Sequence, residues 1–309
     1  MSRATPPVRW YTHGWNRALS WRLIHGIIPK VPRPLRPPIH LATTLVCFLA
    51  MPRERRAARA NLRRITGRGG AASAGAAFRL FYNFSKFMVA YTELGSFRAE
   101  RALRRVEGAD EAARFLDRLL ARGRGLVLAT LHLGNWETGL ALLASRGRQV
   151  HVVLRREEIE ADAIAMRLRE RPGVRPVATG ESPLDSLDLL LALRRGEIVA
   201  VQGDRAWGAA SREAVLFGAP ARLPAGPFLL AQAAGVPLAL VCVPFLGHQR
   251  SRLVVEGPIE VAAGEAGLAA ATGEFARRVE AIVARYPTQW FNFFPMWDGG
   301  AGELGEVGR

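Results

Sequence analysis

From about residue 105 onward the chain alternates short apolar runs with helical stretches, and that alternation limits the fold more than any other feature. Runs at 125–131, 149–154, 197–202 and 236–245, with a weaker one at 252–255, read as strands. Segments 109–122, 135–146, 159–170, 183–195, 225–234 and 271–285 carry helical periodicity. Strands separated by helices come out parallel, because each connection crosses back over the sheet. The expected fold class is therefore α/β, with a largely parallel central sheet flanked by helices.

Ahead of that region the pattern changes. Residues 1–30 hold Trp10, Trp15 and Trp21 with Leu19, Leu23, Ile24, Ile27 and Ile28, and Arg9, Arg17 and Arg22 are interspersed. Trp and Arg beside an apolar face suit the lipid headgroup zone, and a helix packed on its own domain reads equally well. Pro29, Pro32, Pro34, Pro37 and Pro38 then interrupt any helix. The stretch Ile39–Met51 is apolar but only 13 residues long, and a membrane-crossing helix needs about 20. A membrane-surface or re-entrant element is expected there. Arg53, Arg55, Arg56, Arg59, Arg63, Arg64 and Arg68 make the next helix strongly basic. A helix from Ala76 to about Phe97 spaces Phe78, Leu80, Phe81, Phe84, Phe87, Met88, Tyr91 and Leu94 for one apolar face, read as core with a share in an acyl-chain groove. Residues 1–104 are thus expected to be an N-terminal helical membrane-associated region, and 105–309 an α/β catalytic region, the two forming one continuous domain. The last residues, 299–309, read as a frayed end.

The formal charge is +16, carried almost wholly by Arg, since Lys occurs only at 30 and 86. The excess of cations points to an anionic partner: nucleic acid, acidic membrane, phosphorylated lipid or acidic carrier protein. Nucleic acid is disfavoured, because the charge is spread along the chain without a recognition motif. The two cysteines, Cys47 and Cys242, sit in apolar surroundings without CxxC spacing. They read as buried thiols, and no zinc-ligand spacing appears.

The chemistry concentrates at His132-Leu-Gly-Asn-Trp-Glu137. The apolar strand 125–131 delivers His132 to its carboxyl end, Gly134 permits a tight turn, and Asn135 is placed to cap the helix that follows. Ligands in open α/β sheets bind at that edge. An imidazole acting as general base needs one free ring nitrogen and a carboxylate on the other, and Glu137 is the expected holder. Three further charged segments are expected at the same edge. They are the strand from His151 ending in Arg155 and Arg156, the strand ending Gln202-Gly-Asp204-Arg205, and a turn-rich loop from Phe217 through Arg222 feeding a helix with Pro227 in its first turn.

These residues resemble the lysophospholipid acyltransferase superfamily, in the branch of lipid A biosynthesis lauroyl/myristoyl acyltransferases. The likeness is carried by 132–137, the Arg-ending strand at 151–156, Gln202-Gly-Asp-Arg205, Phe217-Gly-Ala-Pro-Ala, Gly235-Val-Pro237-Leu, Tyr286-Pro-Thr-Gln289-Trp290-Phe-Asn-Phe and the upstream Arg56-Ala-Ala-Arg-Ala-Asn61-Leu. Two departures bear on the acceptor: Asn292–Trp297 lacks the paired arginines common in lipid A members, and the Gly-Asp-Arg form at 203–205 is similar to branch members with other acceptors.

The resemblance implies transfer of a fatty acyl chain from acyl carrier protein, or acyl-CoA, to a hydroxyl of a glycolipid or lysolipid such as a lipid A precursor. It implies His132 and Glu137 as the catalytic pair. Asn135, Arg155, Arg156, Asp204, Arg205 and Arg222 are the expected substrate-binding residues, and amides at the start of helix 135–146, Arg155 or Arg205 the expected oxyanion donors. No Ser or Cys stands beside the histidine, so no covalent acyl-enzyme is required; no metal and no cofactor is implied. The expected place of action is the cytoplasmic face of the inner membrane. The alternatives are the same chemistry on an ornithine-type or secondary-metabolite lipid, a membrane-bound relative without catalysis, and a basic nucleic-acid-binding protein.

Overall fold

The computed structural model describes residues 30–94, 103–121, 123–145, 149–155, 173–179, 185–206, 210–247 and 250–297. The expected Trp-rich segment 1–29, the helix at 159–170 and the tail at 299–309 lie outside them.

Three helices come first: α1 (Arg36–Ala50), α2 (Pro52–Thr66) and α3 (Gly70–Leu94). Prolines in the first turns of α1 and α2 start both helices where a backbone donor would be orphaned anyway. Gly67, left-handed at φ 67°, ends α2 by donating its N–H to the Arg63 carbonyl. One face of α2 buries Ala57, Ala58, Asn61 and Leu62, while Arg53, Arg56, Arg63 and Arg64 stay in solvent. The apolar stripe of α3 is core: Leu80, Phe81, Phe87 and Tyr91 are buried against Trp136, Phe245, Phe291 and Phe293. That aromatic cluster locks the helices onto the rest of the chain. On α1 the opposite holds, with Leu41, Leu45, Val46 and Leu49 at least half exposed. No helix among the described residues is long and apolar enough to cross a membrane.

The central sheet has six strands: β2 (Leu126–Gly134), β3 (Val150–Arg155), β4 (Val174–Thr179), β5 (Ile198–Gln202), β8 (Leu238–Val243) and β10 (Val254–Ile259). Their order is β10-β8-β2-β5-β3-β4, all parallel except the antiparallel β10 at one edge. A two-residue ladder joins β1 (Val106–Glu107) to β9 (Ser251–Arg252), and β6 (Ser211–Leu216) with β7 (Ala219–Pro224) makes a separate hairpin.

Helices cover both faces, which is why the strands are apolar on both sides. Val127, Ala129, Leu131 and Leu133 of β2 pack into a core with α6 (Asp185–Arg194), α7 (Gly226–Ala234) and α8 (Gly264–Arg285). Leu126 and Leu128 face the other way, into α4 (Ala109–Leu120) and α5 (Trp136–Ser145). The alternating pleat produces this division.

The strand order, the unexpected strands β4 and β6, and some element boundaries go beyond or differ from the sequence expectation. Strand β5 lies between β2 and β3, so the Arg155 strand is not the neighbour of the His132 strand. The segment 217–224 is a hairpin turn and strand instead of a loop. Helix α8 begins at Gly264, seven residues before its expected start.

Candidate active site

The register between β2 and β5 builds the site. Pairing runs from Leu126 opposite Ile198 to Thr130 opposite Gln202, so His132 and Asp204 each stand two residues beyond the last rung. Gly203 lets the strand end pass close to its surroundings: a Cβ there would meet the Phe275 ring at 2.8 Å and Ala129 Cβ at 3.2 Å. Gly134, at φ 63°, does the same on β2, where a Cβ would lie 2.2 Å from the Val243 carbonyl oxygen. The turn it makes lets Asn135 donate its N–H to that carbonyl at 2.7 Å and launches α5.

Asp204 is wholly buried and holds His132 twice. Its Oδ1 lies 2.7 Å from His132 Nδ1, and its Oδ2 accepts the His132 backbone N–H at 3.0 Å. Oδ2 also accepts the indole N–H of Trp290 at 2.7 Å. With the carboxylate ionised, Nδ1 carries the proton and Nε2 presents a lone pair. Among the described residues Nε2 has no hydrogen-bonding partner. The sequence expectation gave the Nδ1 contact to Glu137; the structure gives it to Asp204. Glu137 is buried in the first turn of α5, and its charge favours the protonated ring without bonding to Nδ1.

Electrostatics keep the two groups in the right forms. Burial, helped by the Arg205 guanidinium, pulls the His132 ring below its usual range, against the opposing pull of Asp204 and Glu137. It is therefore neutral near pH 7. Burial alone would push the Asp204 carboxyl up. The His132 ring, Arg205 and the Trp290 indole outweigh it and hold the group at about 2. Burial also pushes the Cys242 thiol up to about 12, which removes it as a nucleophile.

The end of the described chain closes over the pair. Leu133 and Trp290 form an antiparallel bridge, and Phe291 donates its N–H to the His132 carbonyl at 2.8 Å. Arg205 is buried and clamps this segment, donating Nε–H to Asn292 Oδ1 at 2.9 Å and Nη2–H to the Phe291 carbonyl at 2.5 Å. Asn61 of α2 staples it from the other side, through the carbonyls of Asn292 and Phe294 and the N–H of Met296. On its remaining flank the His132 ring meets Trp136 edge-on at 5.4 Å, and Trp136 stacks on Phe87 at 3.9 Å.

The other expected site residues scatter. Arg222 is exposed on β7, opposite Glu213 of β6 and 3.7 Å from its carboxylate. Arg155 ends β3, two strands away from β2, and its side chain, like all of Arg156, is outside what the structure describes. Asn135 sits at the start of α5 with its N–H committed to Val243, which withdraws it as an oxyanion donor. His151 plays a separate part, bonded to Glu197 at 2.5 Å where β3 and β5 begin, at the opposite ends of the strands from His132. Sequence reasoning missed Trp290 and Asn61 as parts of the site. In the sequence both stand only within segments that carry the family resemblance, and their contacts join segments remote along the chain. Among the described residues no group of three or more His, Cys, Asp or Glu side chains is arranged to hold a metal ion.

Comparison with known proteins places the whole chain. The chain is similar to a phosphatidylinositol mannoside acyltransferase of Mycobacterium tuberculosis (strain CDC 1551 / Oshkosh), 31% identical over 188 residues that cover 59% of this chain and 57% of that protein. It is likewise similar to the phosphatidylinositol mannoside acyltransferase of Mycolicibacterium smegmatis, at 30% identity over 184 residues, 58% of each chain. The match thus spans less than three fifths of the length of these relatives. A family model described as bacterial lipid A biosynthesis acyltransferase matches residues 8–298, nearly the whole sequence and all of the site just described, so the chain belongs to that family.

Proposed function

We propose that the protein transfers a fatty acyl group from a thioester donor to a hydroxyl of a glycolipid. The observation that carries this reading is the neutral His132 ring at the carboxyl edge of the sheet, with Nδ1 fixed by buried Asp204 and Nε2 open. A sugar hydroxyl is too weak an acid to attack a thioester unaided at neutral pH. His132 Nε2 takes the hydroxyl proton as the oxygen attacks the thioester carbon. The tetrahedral species collapses, the carbon–sulfur bond breaks, and the imidazolium returns its proton to the departing thiolate. The products are an ester and a free thiol. Positioned base catalysis of this kind contributes about 10² to 10⁴ in rate. His132 is the catalytic residue; Asp204 positions its ring and selects the tautomer, and Glu137 lowers the energy of the imidazolium by its charge.

The donor in this reading is acyl carrier protein or acyl-CoA, whose acidic surface or phosphates suit a chain of net charge +16. The acceptor is a glycolipid. The names of the relatives and the uncharged segment Asn292–Trp297 favour a mannosylated or other non-lipid-A acceptor over a lipid A precursor. The exposed Leu41, Leu45, Val46 and Leu49 of α1, beside the basic face of α2, support action at an anionic membrane surface, the cytoplasmic face of the inner membrane.

The test is incubation of the protein with labelled acyl carrier protein or acyl-CoA and purified glycolipids, with products read by mass spectrometry. The wild type yields an acylated glycolipid and His132→Ala does not. Equal product from the two would end the general-base assignment, and absence of product from the wild type with every acceptor would end the acyl-transfer reading.

A further inference from the structure

A cavity of about 70 Å³, apolar over much of its wall but with charged groups set into it, lies where the N-terminal helices meet the start of α5, and the acyl-transfer chemistry makes no use of it. Its walls include Arg36 of α1, Lys86 and Glu93 of α3, Arg105, Asn135 and Phe245. Arg36 is only 7% exposed. Its Nη1 pairs with Glu93 Oε1 at 2.5 Å, but Nη2 is buried with no hydrogen-bond partner among the described residues. Asn135 Oδ1 is buried in the same condition. Native interiors rarely leave such groups unmatched, and each one needs an explanation.

Water would satisfy the hydrogen bonds but leave the charge. Among the described residues three cations line the cavity against one carboxylate, and that carboxylate is already bonded to Arg36. Lys86 is held over the Phe245 ring at 4.6 Å and donates to the Gly247 carbonyl at 2.8 Å, which leaves two of its three donors unspent. Burial lowers its pKa to about 8, so an anion placed beside it would favour the charged ammonium. An anion of a few oxygen atoms fits both the space and the charge, and an Arg fork with a neighbouring Lys suits phosphate oxygens in particular. The unmatched Asn135 acceptor calls for a donor on the same ligand.

We propose that this cavity binds the phosphate of a phosphate ester, through Arg36 Nη2, Lys86 and Arg105, with Asn135 Oδ1 accepting from a hydroxyl or amide N–H of that ligand. The proposal rests on the acyl-transfer reading only for the source of the phosphate. Both substrates of such a reaction carry one: the phosphopantetheine arm of the donor and the headgroup of a phosphorylated glycolipid.

The test is binding by calorimetry to the full chain in detergent, without turnover. The probes are pantetheine 4′-phosphate, glycerophosphoinositol and inorganic phosphate, with pantetheine as the phosphate-free control. Lys86→Met leaves the Arg36–Glu93 pair intact, Arg36→Lys keeps the charge but loses the fork, and thermal unfolding checks that both variants fold. Wild type and His132→Ala bind the phosphate esters equally, both variants bind them at least tenfold more weakly, and pantetheine binds at least tenfold more weakly than its phosphate. Tighter binding of one ester assigns the source. Equal affinity in wild type and folded variants, or no binding of any phosphate probe, overturns the proposal. Because the readout is binding, such a result leaves acyl transfer standing, and phosphate binding without acyl transfer leaves the cavity assignment standing.

Discussion

Replacing Asp204 by Asn tests the reasoning about the site most sharply, because it changes one oxygen to an amide without changing volume. In the native protein Oδ1 faces His132 Nδ1, while Oδ2 accepts from both the His132 amide and the Trp290 indole. An Asn can keep its carbonyl toward only one of these. Facing the amide group to the two N–H donors would set donor against donor in a fully buried place, at about 1–3 kcal/mol for each unsatisfied group. The cheaper rotamer turns the NH₂ toward Nδ1. That forces the proton onto Nε2 and leaves no base for the acceptor hydroxyl. The equivalent change in serine proteases costs about 10⁴-fold through the same tautomer. We expect kcat/KM for acyl transfer to fall about 10³ to 10⁴-fold, a barrier rise of about 4–5.5 kcal/mol. Stability should fall by only about 1–2 kcal/mol, since two of the three bonds survive without their charge. The assay is single-turnover acyl transfer from saturating donor, paired with urea unfolding followed by tryptophan fluorescence. An Asp204→Asn protein that keeps more than a tenth of wild-type kcat/KM would refute the argument.

Glu137→Gln should lower kcat by about tenfold, because a charge that favours imidazolium is lost while the Nδ1 contact remains; a loss as large as that of Asp204→Asn would show that the two carboxylates have been ranked wrongly. The acid limb of the kcat/KM pH profile should have its midpoint below 6.5, since the folded His132 pKa lies under its ordinary value and the active form is the neutral ring; an acid limb centred above 6.5 contradicts this sign. Asn61→Ala removes three buried hydrogen bonds to 292–296 and should cost about 2–4 kcal/mol in urea unfolding, with activity lost in step with it. Leu45→Asp with Leu49→Asp should reduce co-sedimentation with anionic vesicles without altering the melting temperature, and unchanged sedimentation would reject α1 as the contacting face.

Much of the sheet was legible because its strands are buried on both faces and so read as unbroken apolar runs. β2, β5 and β8 are of this kind, and His132 is conspicuous because it interrupts one. The strands that escaped notice are edge or solvent-facing pieces. β4 carries Pro176 and exposed Arg175 at the border of the sheet, where a missing donor is tolerated. β6 buries only Leu216 of its six residues, and its turn into β7 puts Phe217 at a positive φ of 52° beside Gly218, a pairing that gives no ordinary hairpin signal. Helical periodicity located α3 and showed that its aromatic stripe was inward. Strand order could not be read, since it depends on which crossover skips a neighbour. Glu137 was therefore chosen for being near along the chain, while Asp204, near across the sheet, was assigned to substrate.

The knot of Trp290, Phe291, Asp204 and His132 also bears on how the protein comes into being. A nascent chain halted before position 290 would possess the histidine and its carboxylate partner, but neither the indole that shares that carboxylate nor the strand bridge that seats the ring. Competence would arrive in one step, once the aromatic segment at 290–291 has been made and docks. A polypeptide made only as far as position 289 would therefore hold the histidine in a ring setting that its own later residues have yet to fix.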